Sequence, residues 1–143
     1  MRLGCGMKRI LICLGVVLVL GLGFFAICHF LMESSAEIHL GESERFTDEE
    51  VQEAVSAVLT KFDDFEGCKL LRLWYDEAES DQSIFYGDGE VPKENIIVLY
   101  SDFRSPKRNS GAWNPNEIYG GWSWTLTRDN KDSPWRVANF GYA

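Results

Sequence analysis

The sequence predicts an α+β protein: an N-terminal transmembrane helix, then one amphipathic helix packed on a curved antiparallel sheet of about four strands. Three observations carry this. Residues 10–32 form an apolar run with no Lys, Arg, Asp or Glu. From Val51 to Phe62 apolar residues recur every three or four positions. Beyond Lys69 the chain breaks into short segments that alternate or are rich in β-branched and aromatic residues, with turn-forming residues between them.

The apolar run is 23 residues long. As a helix it reaches roughly 35 Å, enough to cross a hydrocarbon core of about 30 Å with some tilt. Arg2, Lys8 and Arg9 fall in residues 1–9, and Glu33, Glu37, Glu42 and Glu44 follow the run. The excess of Lys and Arg before the run keeps the N-terminus cytoplasmic and delivers the C-terminal part outside the cytoplasm. The chain is thus expected in the cell membrane as a single-pass protein with an extracytoplasmic domain. A cleaved signal peptide is the rival reading, because Ser34-Ser35-Ala36 supplies small residues. The run exceeds the usual apolar region of about 7–15 residues, which favours an uncleaved signal anchor. A lipid anchor at Cys28 is disfavoured, since the bulky Ile27 precedes it. Gly15, Gly21 and Gly23 are not four apart, so the run shows no close-packing dimer motif.

The whole chain holds 14 basic and 22 acidic residues. Without Arg2, Lys8 and Arg9, 11 bases face all 22 acids after Met32, a net charge of about -11. Phosphate-driven nucleic-acid binding needs a basic face and is excluded on this ground. An anionic membrane surface repels most of such a domain. Cys5, Cys13 and Cys28 lie in or beside the apolar run, and Cys68 alone follows it, so the domain has no internal disulfide. With no Asn-x-Ser/Thr sequon either, the pattern fits a bacterial exported protein held by its core.

Residues 33–45 are polar without periodicity and read as a tether, followed by one domain over residues 46–143. Thr47 is a good N-cap, and Glu50 three positions later completes a capping box. Phe46 and Val51 are spaced for a hydrophobic staple, and Asp48, Glu49 and Glu50 suit the positive end of the helix dipole. The helix is expected from Asp48 to Asp63, with Gly67 beyond its end. Lys69 to Tyr75 alternates with Leu71, Leu73 and Tyr75 on one face. Asp76 to Asp81 reads as an acidic turn. A short strand is expected at Ile84 to Tyr86, followed by a Gly87-Asp88-Gly89 turn. Asn95 to Phe103 reads as a buried strand. Ser105 to Ile118 is an irregular loop. Tyr119 to Arg128 places Trp122, Trp124 and Leu126 on one face. Residues 129–133 form a hairpin connection, and Trp135 to Phe140 is the last strand, with Pro134 at its start.

A capped helix followed by a meander resembles the cystatin-like and NTF2-like α+β class. The segments Phe65-Glu66-Gly67-Cys68, Ile97 to Phe103 and Gly121 to Leu126, with Trp135 and Gly141-Tyr142, resemble an uncharacterised family of membrane-anchored extracytoplasmic domains from Gram-positive bacteria. The resemblance covers about Phe46 to Ala143 and implies no particular activity. The chain lacks the protease-binding loop motif of the cystatins.

Both histidines, His29 and His39, precede the domain. That removes the usual Ser-His and Cys-His nucleophile arrangements and histidine metal sites. No Walker loop, dinucleotide fingerprint or EF-hand loop occurs, and no cofactor is implied. Carboxylates cluster at Asp63, Asp64 and Glu66 and again over Asp76 to Asp81. Without ligand spacing they read as solvated surface rather than a divalent-cation site. Trp122, Trp124 and Trp135 read as core between sheet and helix, the alternative being rings that bind sugars or a peptide. Cys68 reads as a small buried residue.

The candidate ligand-binding residues are Trp113, Arg104, Lys107, Arg108 and Tyr119. Trp113 sits in a Gly/Asn/Pro loop, where a large ring has less claim to be core. Arg104, Lys107 and Arg108 are the basic cluster beside that loop. They fit an ordinary solvated loop, a site for an anionic group, or a contact to the acidic helix start of another copy. The leading functional expectation is a non-enzymatic binding or interaction module, with an envelope protein or cell-wall glycan as partner and the bilayer held through residues 10–32. The alternatives are a small carboxylate-based enzyme with a cavity in the concave sheet, or an accessory subunit of a membrane protein complex.

Overall fold

The computed structural model describes residues 36–85 and 90–142. The expected span over residues 10–32 and the Gly87-Asp88-Gly89 turn lie outside the described residues. Among the described residues no helix is long and apolar enough to cross a membrane.

Helix α1 runs Asp48–Phe62, ending one residue before the expected end. Both bonds of the capping box are present. Thr47 N–H donates to Glu50 Oε2 (2.9 Å), and Glu50 N–H donates to Thr47 Oγ1 (3.3 Å). The apolar stripe Val51, Ala54, Val55, Val58 and Phe62 is buried. Gly67 then turns the chain at a φ of 73°, close against Pro106. That left-handed conformation suits glycine, and a Cβ there would meet the proline ring at 3.2 Å.

The sheet has five strands in the order β1-β2-β3-β4-β5. They are β1 Glu37–Leu40, β2 Lys69–Tyr75, β3 Ile96–Arg104, β4 Ile118–Thr127 and β5 Arg136–Tyr142. Strands β2 to β5 form the expected antiparallel meander. Strand β1 pairs parallel with β2, Glu37 beside Arg72 and Leu40 beside Tyr75, so the sheet is mixed. The folded unit therefore starts at Ala36 and takes in most of the segment expected to be a tether. Four exposed residues with two apolar side chains are too short a pattern to read; the open edge of β2 decides the pairing.

A second helix, α2 Glu77–Phe85, replaces the acidic turn. Asp76 caps it: its Oδ1 accepts from Glu79 N–H (2.9 Å). The acidic run is the first turn of a helix, where carboxylates meet the positive dipole end. Ile84 and Phe85 are helical, so the short strand expected from Ile84 does not form there. Tyr86 lies outside the described residues. Helix α2 is fastened to β3 by Ser80 Oγ, which accepts from Val98 N–H (3.0 Å), and by Tyr100 Oη, which donates to Glu79 O (3.0 Å).

The two helices thus serve different faces. Helix α1 covers Leu73, Ile97, Leu99, Phe103, Trp124 and Leu126, all fully buried. Trp124 keeps its indole donor satisfied at Ser101 Oγ (2.8 Å). The face under α1 is a filled core. A bulge between Leu70 and Arg72 corrects the expected alternation: Leu70, not Leu71, joins Leu73 and Tyr75 inside. Gly121, at a φ of 68°, forms another irregularity, and its N–H donates to Asp102 Oδ1 (2.9 Å). The outer strands are blunted against strand addition, β1 by its four residues and β5 by a bulge near Ala138.

Candidate functional site

Sheet register defines two ends. The proximal end gathers the starts of β1, β2 and β4, the ends of β3 and β5, the exit of α1, and the loop over residues 105–117. The distal end gathers the opposite strand ends and the starts of α1 and α2.

At the proximal end the structure splits the predicted site residues into two groups. Trp113 and Tyr119 come together, ring centroids 5.1 Å apart, and Asn114 N–H donates to Tyr119 Oη (2.9 Å). Tyr119 stacks on Phe103 at 5.1 Å, and Trp113 lies 5.2 Å from Phe65. Trp113 is therefore half-buried against the core rather than projecting from its loop. The loop folds back because Ser105 Oγ accepts from Glu117 N–H (2.9 Å) and bonds Asn114 O.

Around this pair the β5 rings extend the surface. Trp122 lies 5.2 Å from Tyr142 and 6.4 Å from Phe140. Phe140 is 40% exposed and Tyr142 65%. Trp122 itself is buried, yet its Nε1 has no hydrogen-bond partner. Strand alternation explains the row: Trp122, Trp124, Phe140 and Tyr142 all face the α1 side, but α1 ends before it reaches Tyr142. The sequence signal was present in Phe140 and Tyr142, two positions apart, but the last strand was expected to stop at Phe140.

Arg104 lies on the opposite face from Phe103. Its register partner is Lys69, a like charge that sequence reading did not place beside it. Arg104 donates to Asn116 Oδ1 at 3.5 Å, and Lys107 and Arg108 are exposed. Of the described cations, Lys69, Arg104, Lys107, Arg108 and Lys131 make no ion pair with a described residue.

The distal end is built differently. Arg128 is 5% exposed and lies 2.8 Å from Glu50 Oε1. Its Nη2 and Nε donate to Glu94 O (2.8 and 3.2 Å), and its guanidinium stacks 4.3 Å from the Trp135 ring. Burial opposes ionisation of Glu50, but bonding from Thr47 N–H and Arg128 outweighs it and leaves the carboxyl below its ordinary range. Arg45 grips Asp81 with two bonds of 2.7 and 2.8 Å, which lowers the Asp81 carboxyl likewise. Glu77 accepts from Ser43 Oγ and from Tyr75 Oη, and burial pushes Tyr75 up to about 12.

A shallow groove of about 850 Å³ beside β1 is lined by His39, Arg72, Trp74 and Glu79. Its polar groups are already engaged. Trp74 Nε1 donates to Glu79 Oε2 (3.0 Å), and Arg72 stacks on the Trp74 ring and pairs with Asp102. Burial raises the Cys68 thiol, which leaves it a weak nucleophile. Among the described residues no group of three or more His, Cys, Asp or Glu is placed to hold a metal ion. Comparison with protein-family models, curated proteins and solved structures finds no match.

Proposed function

We propose that this chain is a membrane-anchored binding module: residues 10–32 cross the cell membrane with the N-terminus cytoplasmic, and the α+β domain contacts a partner outside the cytoplasm. The aromatic surface at the proximal end carries the reading. Exposed Phe140 and Tyr142 run on into half-buried Trp113 and Tyr119 around the buried Trp122 ring. Contiguous exposed rings mark interaction surfaces, which points to a partner here. A cell-wall glycan supplies sugar-ring faces for the aromatics and hydroxyl acceptors; an envelope protein supplies apolar side chains and carbonyls. The helix-then-meander core supports a cystatin-like or NTF2-like relationship, to which β1 and α2 are additions. The filled face under α1 leaves the enzyme alternative without the cavity it needs there.

The test is binding of the full chain, in lipid nanodiscs, to wall glycan fragments and to solubilised envelope proteins. The wild type should retain one of these, and Phe140→Ser with Tyr142→Ser should weaken it at least tenfold, as should Trp113→Ala. An undiminished double variant, or a wild type that retains nothing, contradicts this assignment. Extraction of intact protein only by detergent, with the domain open to external protease, is the expected membrane behaviour. Release of a shortened chain beginning near Glu37 contradicts the anchor.

A further inference from the structure

The four cations at the proximal end that make no ion pair with a described residue share that end with the point where the chain enters the domain. Parallel pairing sets Glu37 beside Arg72, so Ala36 lies at the Lys69 end of β2. Residues 33–35 alone separate Ala36 from the apolar run. Lys69 and Arg104 are held opposite one another across the β2–β3 pair, an arrangement that costs stability unless an anion lies beside them. Lys107 and Arg108 follow at the start of the adjoining loop.

Among the described residues the carboxylates of this end are Glu37, Asp63, Glu66 and Glu117, with Lys61–Asp64 and Arg72–Asp102 paired internally, and Glu33 precedes them in the sequence. Charges of the described residues here balance, so their acidic excess lies at the distal end, with Asp48, Glu49, Glu94 and Asp132 among its members. Asp63 and Glu66 belong to the exit of α1, on the other face from Lys69 and Arg104. The domain is thus polar in charge along its strands. In the field of an anionic surface such a molecule turns its balanced, cation-bearing end inward and its acidic end outward.

We propose that Lys69, Arg104, Lys107 and Arg108 seat the domain on the phosphate headgroups of anionic phospholipid. This rests on the membrane-anchor reading above. Spread over two strands and a loop, the four cations match a surface of repeated phosphates, and the two guanidinium forks suit phosphate oxygens. Net charge alone predicts repulsion of the domain as a whole; the attraction is local to the face that carries these four cations.

The experiment reconstitutes the full chain in vesicles of zwitterionic phospholipid, or with about a third anionic phospholipid. Lysines are acetylated with a water-soluble reagent, and rates are read by mass spectrometry. Lys69 and Lys107 should react at least threefold more slowly in the anionic vesicles, whereas distal Lys93 and Lys131 should not change. Salt at 0.5 M, or Arg104→Gln with Arg108→Gln, should abolish the difference. Equal rates in both vesicles overturn the proposal, as does slowing of all four lysines alike. Protection of Lys69 and Lys107 by inorganic phosphate over zwitterionic vesicles also overturns it, because the ligand is then free phosphate and not lipid. Flotation of the same samples separates the two levels. Protein that floats without selective protection removes the lipid seat alone; protein that does not float removes the anchor and the seat with it.

Discussion

The two ends of the domain treat charge in opposite ways. At the distal end Arg128, Glu50, Arg45, Asp81 and Glu77 are matched, several of them doubly. At the proximal end four cations make no ion pair with a described residue, and the rings of Phe140 and Tyr142 reach solvent. Buried side-chain atoms without a hydrogen-bond partner occur at both ends, Trp122 Nε1 at the proximal and Glu50 Oε1 and Asn95 Oδ1 at the distal. The distal end joins β1, both helices and the β4–β5 connection, segments distant in sequence, and so needs directional contacts to fix them. Exposed rings and cations gathered at one end mark the surface proposed for a partner.

The largest break in that comparison should come from Arg128→Ala. It leaves Glu50 and the Glu94 carbonyl without their buried cation, and should cost about 3–5 kcal/mol in denaturant unfolding. A variant within 1 kcal/mol of wild type would show that the distal network is ornamental. Next comes Asp81→Asn, which removes the charge gripped by Arg45 and should cost about 1–2 kcal/mol at neutral pH. Its sign with pH is fixed. The folded-state pKa of Asp81 is depressed, so its contribution is full above about pH 5 and fades as the pH falls through the folded value. Wild-type stability should therefore drop on acidification more steeply than that of the variant, measured by thermal midpoints from pH 7 to pH 3.

The proximal substitutions should cost less than Arg128→Ala. Phe140→Ser with Tyr142→Ser should cost about 1–2 kcal/mol, most of it from Phe140, which is 40% exposed and packs on Phe65 and Trp124, and little from Tyr142, which is 65% exposed. Smallest, and reversed in sign, is Lys69→Glu. Placing a carboxylate beside Arg104 should stabilise the domain by about 0.2–1 kcal/mol. A loss of stability there would mean that Lys69 already has a partner.

Much of the fold was legible because its signals are local. The Thr47–Glu50 capping box and the Val51–Phe62 stripe mark α1 within one residue of its bounds. The β-branched run Ile96 to Phe103 marks the central strand, and Trp122, Trp124 and Leu126 alternate into the core as expected. Strand β1 was not legible because its pairing depends on β2, more than thirty residues away. Helix α2 was hidden because its carboxylates also suit a turn; the deciding contact is Ser80 with the backbone of Val98. Among site residues, proximity in sequence was a partial guide. Arg104, Lys107 and Arg108 adjoin Trp113 in the chain, yet Arg104 lies on the face away from Trp113 and Tyr119. Its true neighbour is Lys69, which cross-strand register alone supplies.

Thermal unfolding of the full chain in anionic and in zwitterionic vesicles tests the contrast between the two ends most directly, because a ligand that binds only the folded state raises the midpoint. The unmatched end should give wild type a higher midpoint in anionic vesicles. The quadruple variant with Lys69, Arg104, Lys107 and Arg108 each changed to Gln should have equal midpoints in both. Equal midpoints for the wild type, or the same rise in the variant, would contradict the account.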